Sequence, residues 1–363
     1  MNDLPILFAV ASLSVSVAAG ADEKIVAEAV GRYADHVSGL YQESLATAKA
    51  LQTAVGDLAD DPKSAHLQVA RAAWNKAREP YLQTEVFRFY GGPIDDEDGP
   101  EGLLNAWPMD ENYIDLIIAD VSTYSRFTTG LIADLNEKDG ETNIASGFHA
   151  LEYLLWGVDK YPEGPGRREA AAFTDGRFGG YAKACATLLV KNLKSLAEDW
   201  APSGSRNYRA DFLALPPEKA LSHILTGCAT LSGPELAGER LTVAYETREQ
   251  EDEHSCFSDT THRDVIFNAI GIKKVADILK PLIGVADPGL AVRLDTQVIE
   301  SVALAKAIPV PFDQAILGGD EEPGRKAILA VIESLEIQSD IFREFAKKRQ
   351  LTLPEAGKEE NDR

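Results

Sequence analysis

The chain has 363 residues, 45% of them hydrophobic and 26% charged, with 36 Lys plus Arg against 58 Asp plus Glu for a formal net charge of −22. That length fits two domains or one large one, and the apolar fraction is too high for a disordered chain. So acidic a chain lacks the basic face that neutralises nucleic-acid phosphates or anionic lipid, which excludes both as expected partners and suits a protein that attracts cations.

Residues 5–21, PILFAVASLSVSVAAGA, form the only long uncharged apolar stretch and end in the small residues Ala19-Gly20-Ala21. They read as an export signal cut after Ala21, although Met1-Asn2-Asp3 lacks the usual positive charge. No later segment reaches the roughly 20 apolar residues a bilayer span needs, so no membrane span is expected once the signal is cleaved. From 24 to 58, apolar residues recur at spacings of three and four, placing Val26, Val30, Tyr33, Val37, Leu40 and Tyr41 on one side of a helix. Asp60-Asp61-Pro62 breaks it, Asp61 or Ser64 is placed to cap the next helix, and that helix runs over 64–89 with a kink expected at Pro80. The Gly-, Pro- and acid-rich segment 91–102 is a loop. Helices are expected over 111–136 and 141–158, irregular chain over 160–179, and a helix over 180–199 that ends in the Trp200–Gly204 turn.

Further helices are expected near 217–232, 235–248, 261–282, 288–306 and 324–348. Ser232-Gly233-Pro234-Glu235, Ala286-Asp287-Pro288-Gly289 and residues 318–324 separate them. Alternating strand patterns are scarce. The reading is an all-α protein of two helical bundles packed against each other, over 22–205 and 206–350, between the signal at 1–21 and a disordered acidic tail at 351–363. Three cysteines, Cys185, Cys228 and Cys256, are too few for a disulfide scaffold and form no CxxC pair. That removes c-type haem, thioredoxin-like chemistry and cysteine-rich zinc sites, and leaves room for one disulfide.

Four segments carry chemistry. In Gly147-Phe148-His149-Ala150-Leu151-Glu152, His149 and Glu152 lie three apart and are neighbours on a helix surface. An imidazole and a carboxylate at that offset can share one metal ion, as in carboxylate-bridged centres of helical bundles; the same pair can also form a simple local hydrogen bond. Gly147 lies away from that stripe and suits close helix packing. Upstream, Trp74, Arg78, Tyr81 and Glu85 follow spacings of 4, 3 and 4 and share one stripe. It is either an interface stripe with an Arg–Glu pair or a cleft wall in which Glu85 offers a further oxygen ligand. Asp110 is placed to cap a helix starting near Glu111, and Asp110 and Asp115 are secondary ligand candidates. Residues 251–264, EDEHSCFSDTTHRD, concentrate two histidines, one Cys and several carboxylates. There Asp259 or Thr260 is placed to cap the following helix, while His254 and Asp259 are candidates for a second site or for a wall of the first.

Together and in this order, these segments resemble the imelysin family, specifically its iron-regulated branch of bacterial exported proteins. Residues 147–152 fit the GxHxxE pattern, and the likeness extends to the ARxPYxxxE segment ending in Glu85, to NAWPMDENYID and to EDEHSCFSDTTHRD. It covers about residues 25–350. The resemblance implies two related helical bundles with the GxHxxE helix close to their interface, and a periplasmic or outer-membrane-associated location. It also implies a link to iron acquisition, with an envelope iron-uptake protein as partner. It puts His149 and Glu152 first as metal ligands and Glu85 next; Arg78, Asp110, Asp115, His254 and Asp259 complete the candidates. Iron is the metal it points to, while imidazole and carboxylate donors also suit zinc or manganese. The family has been grouped with metallopeptidases, but this chain lacks HExxH, so membership does not establish proteolysis. Three readings follow. The chain is an iron-binding exported protein, or a metallopeptidase with Glu85 as base, or a binding module whose cleft is lined by Trp74, Tyr81, Trp107 and Trp156.

Overall fold

A computed structural model describes residues 7–160 and 164–353, with side chains from residue 23 onward. The expected cleavage signal and most of the expected tail lie outside the residues whose side chains are described. Among the described residues the protein is helical throughout, without a strand. The helices are α1 (Leu7–Asp60), α2 (Ser64–Thr84), α3 (Glu101–Asn105), α4 (Glu111–Ala119), α5 (Thr129–Leu135), α6 (Gly147–Trp156) and α7 (Gly176–Asp199). They continue with α8 (Tyr208–Ala214), α9 (Pro217–Thr230), α10 (Val243–Thr247), α11 (Thr261–Ala286), α12 (Pro288–Ala307), α13 (Phe312–Ala315) and α14 (Pro323–Lys348).

The apolar periodicity determines what packs where. Val26, Val30, Tyr33, Val37, Leu40 and Tyr41 are all buried, and the face of α1 they form lies against α2 and α7, with α6 filling in against α2 and α7. A second group joins α11, α12, α14 and α9. The two groups meet where α2 lies on α11. Gly271 permits that approach, since a Cβ there would sit 2.6 Å from the Gln83 carbonyl oxygen. No helix among the described residues is long and apolar enough to cross a membrane.

Several local expectations are corrected. The helix expected over 111–136 stops at Ala119. There the Asp120 carboxylate accepts from Ser122 Oγ and the Thr123 N–H, a local alternative to helix that short polar residues offer. The GxHxxE helix begins at Gly147 rather than 141, because Asn136 Oδ1 takes the Ala145 and Ser146 N–H groups and holds that strip extended. Helix α2 runs through Pro80, and neither Asp61 nor Ser64 caps it; Lys63 occupies the cap position. Thr260 occupies the cap position of α11 without a side-chain bond to it.

The break expected at Ser232-Gly233-Pro234-Glu235 is absent. The chain stays helical from α9 to α10 through a widened π-helical stretch, Leu231–Thr242, that contains Pro234. Proline lacks the N–H that an α-turn uses, and such widened turns recur at functional sites. All three cysteines are free and buried, so the disulfide that the sequence left open is not formed.

Candidate functional site

Helix α6 places His149 and Glu152 one turn apart, and both are buried, at 1% and 0% exposure. Gly147 opens that helix at φ 85°, and a Cβ there would lie 2.6 Å from the Leu104 carbonyl oxygen, so glycine allows α6 to press against α3. His149 Nδ1 lies 3.0 Å from Glu152 Oε2. The other carboxylate oxygen, Oε1, accepts from the Ser258 N–H at 2.9 Å and from Ser258 Oγ at 2.7 Å. Burial pushes Glu152 up to about 8 against these donors. Burial, and then Arg78 and His254, push His149 well below its usual 6.5. At neutral pH the pair is therefore uncharged, and His149 Nε2 is buried without a partner.

A second imidazole closes on the first. The ring centroids of His149 and His254 are 4.7 Å apart at 67°. His254 Nδ1 lies 2.7 Å from Asp264 Oδ2, which also accepts from Ser255 Oγ and, at 2.9 Å, from Arg78 Nη2. Arg78 also reaches Asn105, and its guanidinium lies over the Trp74 and Phe148 rings. Burial opposes the Asp264 charge, yet Arg78 and His254 hold this carboxyl well below the usual carboxylate range. Burial and Arg240 lower His254 to about 4.

Glu85 lies in a separate ion cluster. Its Oε2 accepts from Arg240 Nη2 at 2.6 Å and from Arg88 Nη1 at 2.9 Å. Arg240 comes from the π-helical stretch and also binds Glu235. Burial works against the Glu85 charge, but the two arginines outweigh it and hold the carboxyl at about 2. Its Oε1 is buried and bare. Above these groups opens a cavity of about 500 Å³, lined by five glutamates (Glu101, Glu137, Glu141, Glu235, Glu239), two arginines (Arg88, Arg240) and His254. The excess of acids makes its mouth attractive to cations.

A family model described as Imelysin matches residues 39–341. The chain belongs to the imelysin family. A relative named iron-regulated protein A, from Synechococcus elongatus, is 25% identical over 320 residues, spanning 82% of this chain and 81% of the relative. Two solved structures share the fold. One, from Parabacteroides distasonis, is described as an iron-regulated protein A precursor; it has a TM-score of 0.73 at 19% identity and covers 90% of this chain and 95% of its own. The other, an imelysin-like protein from Psychrobacter, has a TM-score of 0.66 at 13% identity and covers 91% and 98%.

In this imelysin, His149, Glu152, His254 and Arg78 come together as one cluster. Asp110 does not join it: exposed, it caps α4 by accepting from the Asn112 N–H. Asp115 is also exposed and accepts from Tyr153 Oη at 2.8 Å. Asp259 is next to Ser258 but borders a different cavity, lined also by Pro165 and Val310, with both its carboxylate oxygens buried. The Arg–Glu pair expected within α2 is replaced by long-range partners: Arg78 takes Asp264 and Glu85 takes Arg240. Trp74, Tyr81 and Trp156 are core side chains, while Trp107 lines the larger cavity. Asp264, Ser255, Ser258 and Asn105 also belong to the cluster, and helical spacing does not single them out. The first three stand in EDEHSCFSDTTHRD and Asn105 opens NAWPMDENYID, so the segments were visible while their roles were not.

Proposed function

We propose that this imelysin is an exported protein that binds a metal ion in iron uptake or handling. One observation carries the reading: two buried imidazoles lie in contact, each with its Nδ1 held by a buried carboxylate. A metal-ligating histidine usually donates its second ring N–H to such a carboxylate, which fixes the ring and strengthens the donor nitrogen.

The fit to a metal is that of a half-site. Among the described residues no three His, Cys, Asp or Glu side chains gather into a ready coordination shell. The residues present offer His149 Nε2 first, then His254, with Glu152 and Asp264 orienting the rings. Glu85 Oε1 is a reserve oxygen, and water or a ligand travelling with the ion supplies the remaining positions. A bound ion would bring positive charge to this pocket. Imidazole and carboxylate donors suit iron, zinc and manganese, and the relative's name favours iron. The acid-rich cavity over His254 gives an approach for a cation. The leader-like residues 5–21 support export, and an envelope iron-uptake protein is the partner class that fits.

The peptidase reading gains nothing from the geometry. Glu85, its base, is held at about 2 between two arginines and is a weak proton acceptor near neutrality. The test is a calorimetric titration of the full chain with ferrous iron, manganese and zinc. Saturable binding of iron is expected, with loss in the double variant His149→Ala, Glu152→Ala. Undiminished binding in that variant removes these residues from the site.

A further inference from the structure

Four buried side chains close a hydrogen-bonded ring around the second imidazole. Arg78 Nη2 donates to Asp264 Oδ2 at 2.9 Å, and the same oxygen lies 2.7 Å from His254 Nδ1. The other arm of the guanidinium, Nη1, donates to Asn105 Oδ1. The ring closes where Asn105 Nδ2 stands 3.5 Å from His254 Nε2.

The chemistry of each group fixes the direction of every bond in the ring. A guanidinium only donates, so Asn105 turns its carbonyl oxygen to Arg78 and its NH2 to His254. An ionised carboxylate only accepts, and Arg78 keeps Asp264 ionised. Burial and Arg240 keep His254 neutral near pH 7, so its one proton is on Nδ1, toward Asp264. Nε2 then carries a lone pair, and the Asn105 amide is set against it. At 3.5 Å this is the longest link in the ring and lies at the outer limit of a hydrogen bond. Asn105, His254 and Trp107 all belong to the wall of the 500 Å³ cavity. Trp107 stands edge-on to His254, with ring centroids 5.7 Å apart, and its Nε1 donates to the Glu253 carbonyl oxygen at 2.9 Å. The indole and the His149 ring thus steady the imidazole, while its donor nitrogen is covered by a weak contact.

We propose that Asn105 is a displaceable cap on His254 Nε2, a positioning residue that covers this donor until a cation in the cavity takes it. His254 is part of the cavity wall, whereas His149 Nε2 is enclosed, so an entering ion meets His254 on its way to His149. What displaces the cap rests on the metal reading above; the cap itself stands on the four-residue ring. A contact this long opposes an entering ion only weakly, so the cap moderates affinity rather than closing the site.

The test uses the full chain, first free of metal and then with manganese. Diethyl pyrocarbonate modifies unprotonated imidazole nitrogens, and peptide mass mapping reads its rate at each histidine. Near pH 7, His254 is expected to react at least fivefold faster in Asn105→Ala than in the wild type, with the rate at the partly exposed His66 unchanged. Asn105→Asp keeps the acceptor that Arg78 uses, and with it the fold, but turns an oxygen toward Nε2 in place of the amide N–H. By calorimetry it is expected to bind manganese at least tenfold more tightly than the wild type. An unchanged rate at His254 in Asn105→Ala overturns the cap, as does unchanged or weaker manganese binding in Asn105→Asp. If Asn105→Ala does not fold, Asn105→Asp decides. Saturable manganese binding in neither the wild type nor Asn105→Asp removes the metal reading instead, and the modification rates then decide the cap alone.

Discussion

Two sets of buried carboxylates stand in this imelysin, and they differ in what answers them. Glu85 and Asp264 meet guanidiniums, Arg240 and Arg88 for the first and Arg78 for the second. Glu253 is as deeply placed, Asp259 less so, and no guanidinium pairs with either. The first pair stays ionised far below the usual range and the second is pushed up. Burial alone therefore does not set the charge of an acid; the presence of a cation does. The arginine-answered acids are fixed parts of the scaffold. The unanswered ones, with Glu152, are held toward their neutral form.

The largest expected effect tests the answered set. Arg78→Met leaves Asp264 buried and ionised without its guanidinium, and unfolding by urea should show a loss of about 3–5 kcal/mol. A loss within experimental error would mean that Asp264 finds another partner or a proton at no cost. Ser258→Ala comes next, because Ser258 Oγ donates to Glu152, an acid without a guanidinium of its own. It should cost about 1–3 kcal/mol by the same measurement, and should raise the Glu152 carboxyl further.

Acid and alkali should act on the two sets with opposite sign. For Glu85 and Asp264 the folded pKa is depressed. Their stabilisation is full above the unfolded carboxyl range near 4 and is lost as pH falls through it toward 2. For Glu152 and Asp259 the folded pKa is raised to about 8, so their contribution is full below about 4 and is lost as pH rises toward 8. Melting temperature should thus fall on both sides of a mildly acidic maximum. Glu253→Gln, which removes a raised acid, should lift the alkaline limb by about 1.4 kcal/mol for each unit of displacement relieved, and leave the acid limb alone. A variant that shifted both limbs together would break the distinction. A last effect concerns the metal itself. His149 offers Nε2 as a donor when Nδ1 carries the proton toward an ionised Glu152, which requires the neutral pair to release one proton. Apparent metal affinity should rise tenfold per pH unit up to about 8 and level off above it.

Much of this was legible in the sequence wherever the information is local. The periodicity of α1 predicts its buried face, the 4-3-4 stripe of Trp74, Arg78, Tyr81 and Glu85 does face inward, and His149 and Glu152 do touch. Asp110 caps its helix as its position suggests. What helical spacing does not contain is which distant residue answers a charge. Arg78 finds Asp264 across 186 positions and Glu85 finds Arg240 across 155, so the pair expected within α2 dissolves into two inter-helix pairs. The π-helical stretch that delivers Arg240 was hidden for a related reason. Its Ser-Gly-Pro string has the composition of a turn, and only the packing of α14 against it shows that the helix continues.

The most direct measurement is an iron-edge anomalous difference map from crystals of the full chain grown or soaked with ferrous iron under anaerobic conditions. A peak is expected within bonding distance of His149 Nε2, on the side of His254, with Glu152 still on Nδ1. An iron peak elsewhere, with both imidazoles untouched, would contradict it.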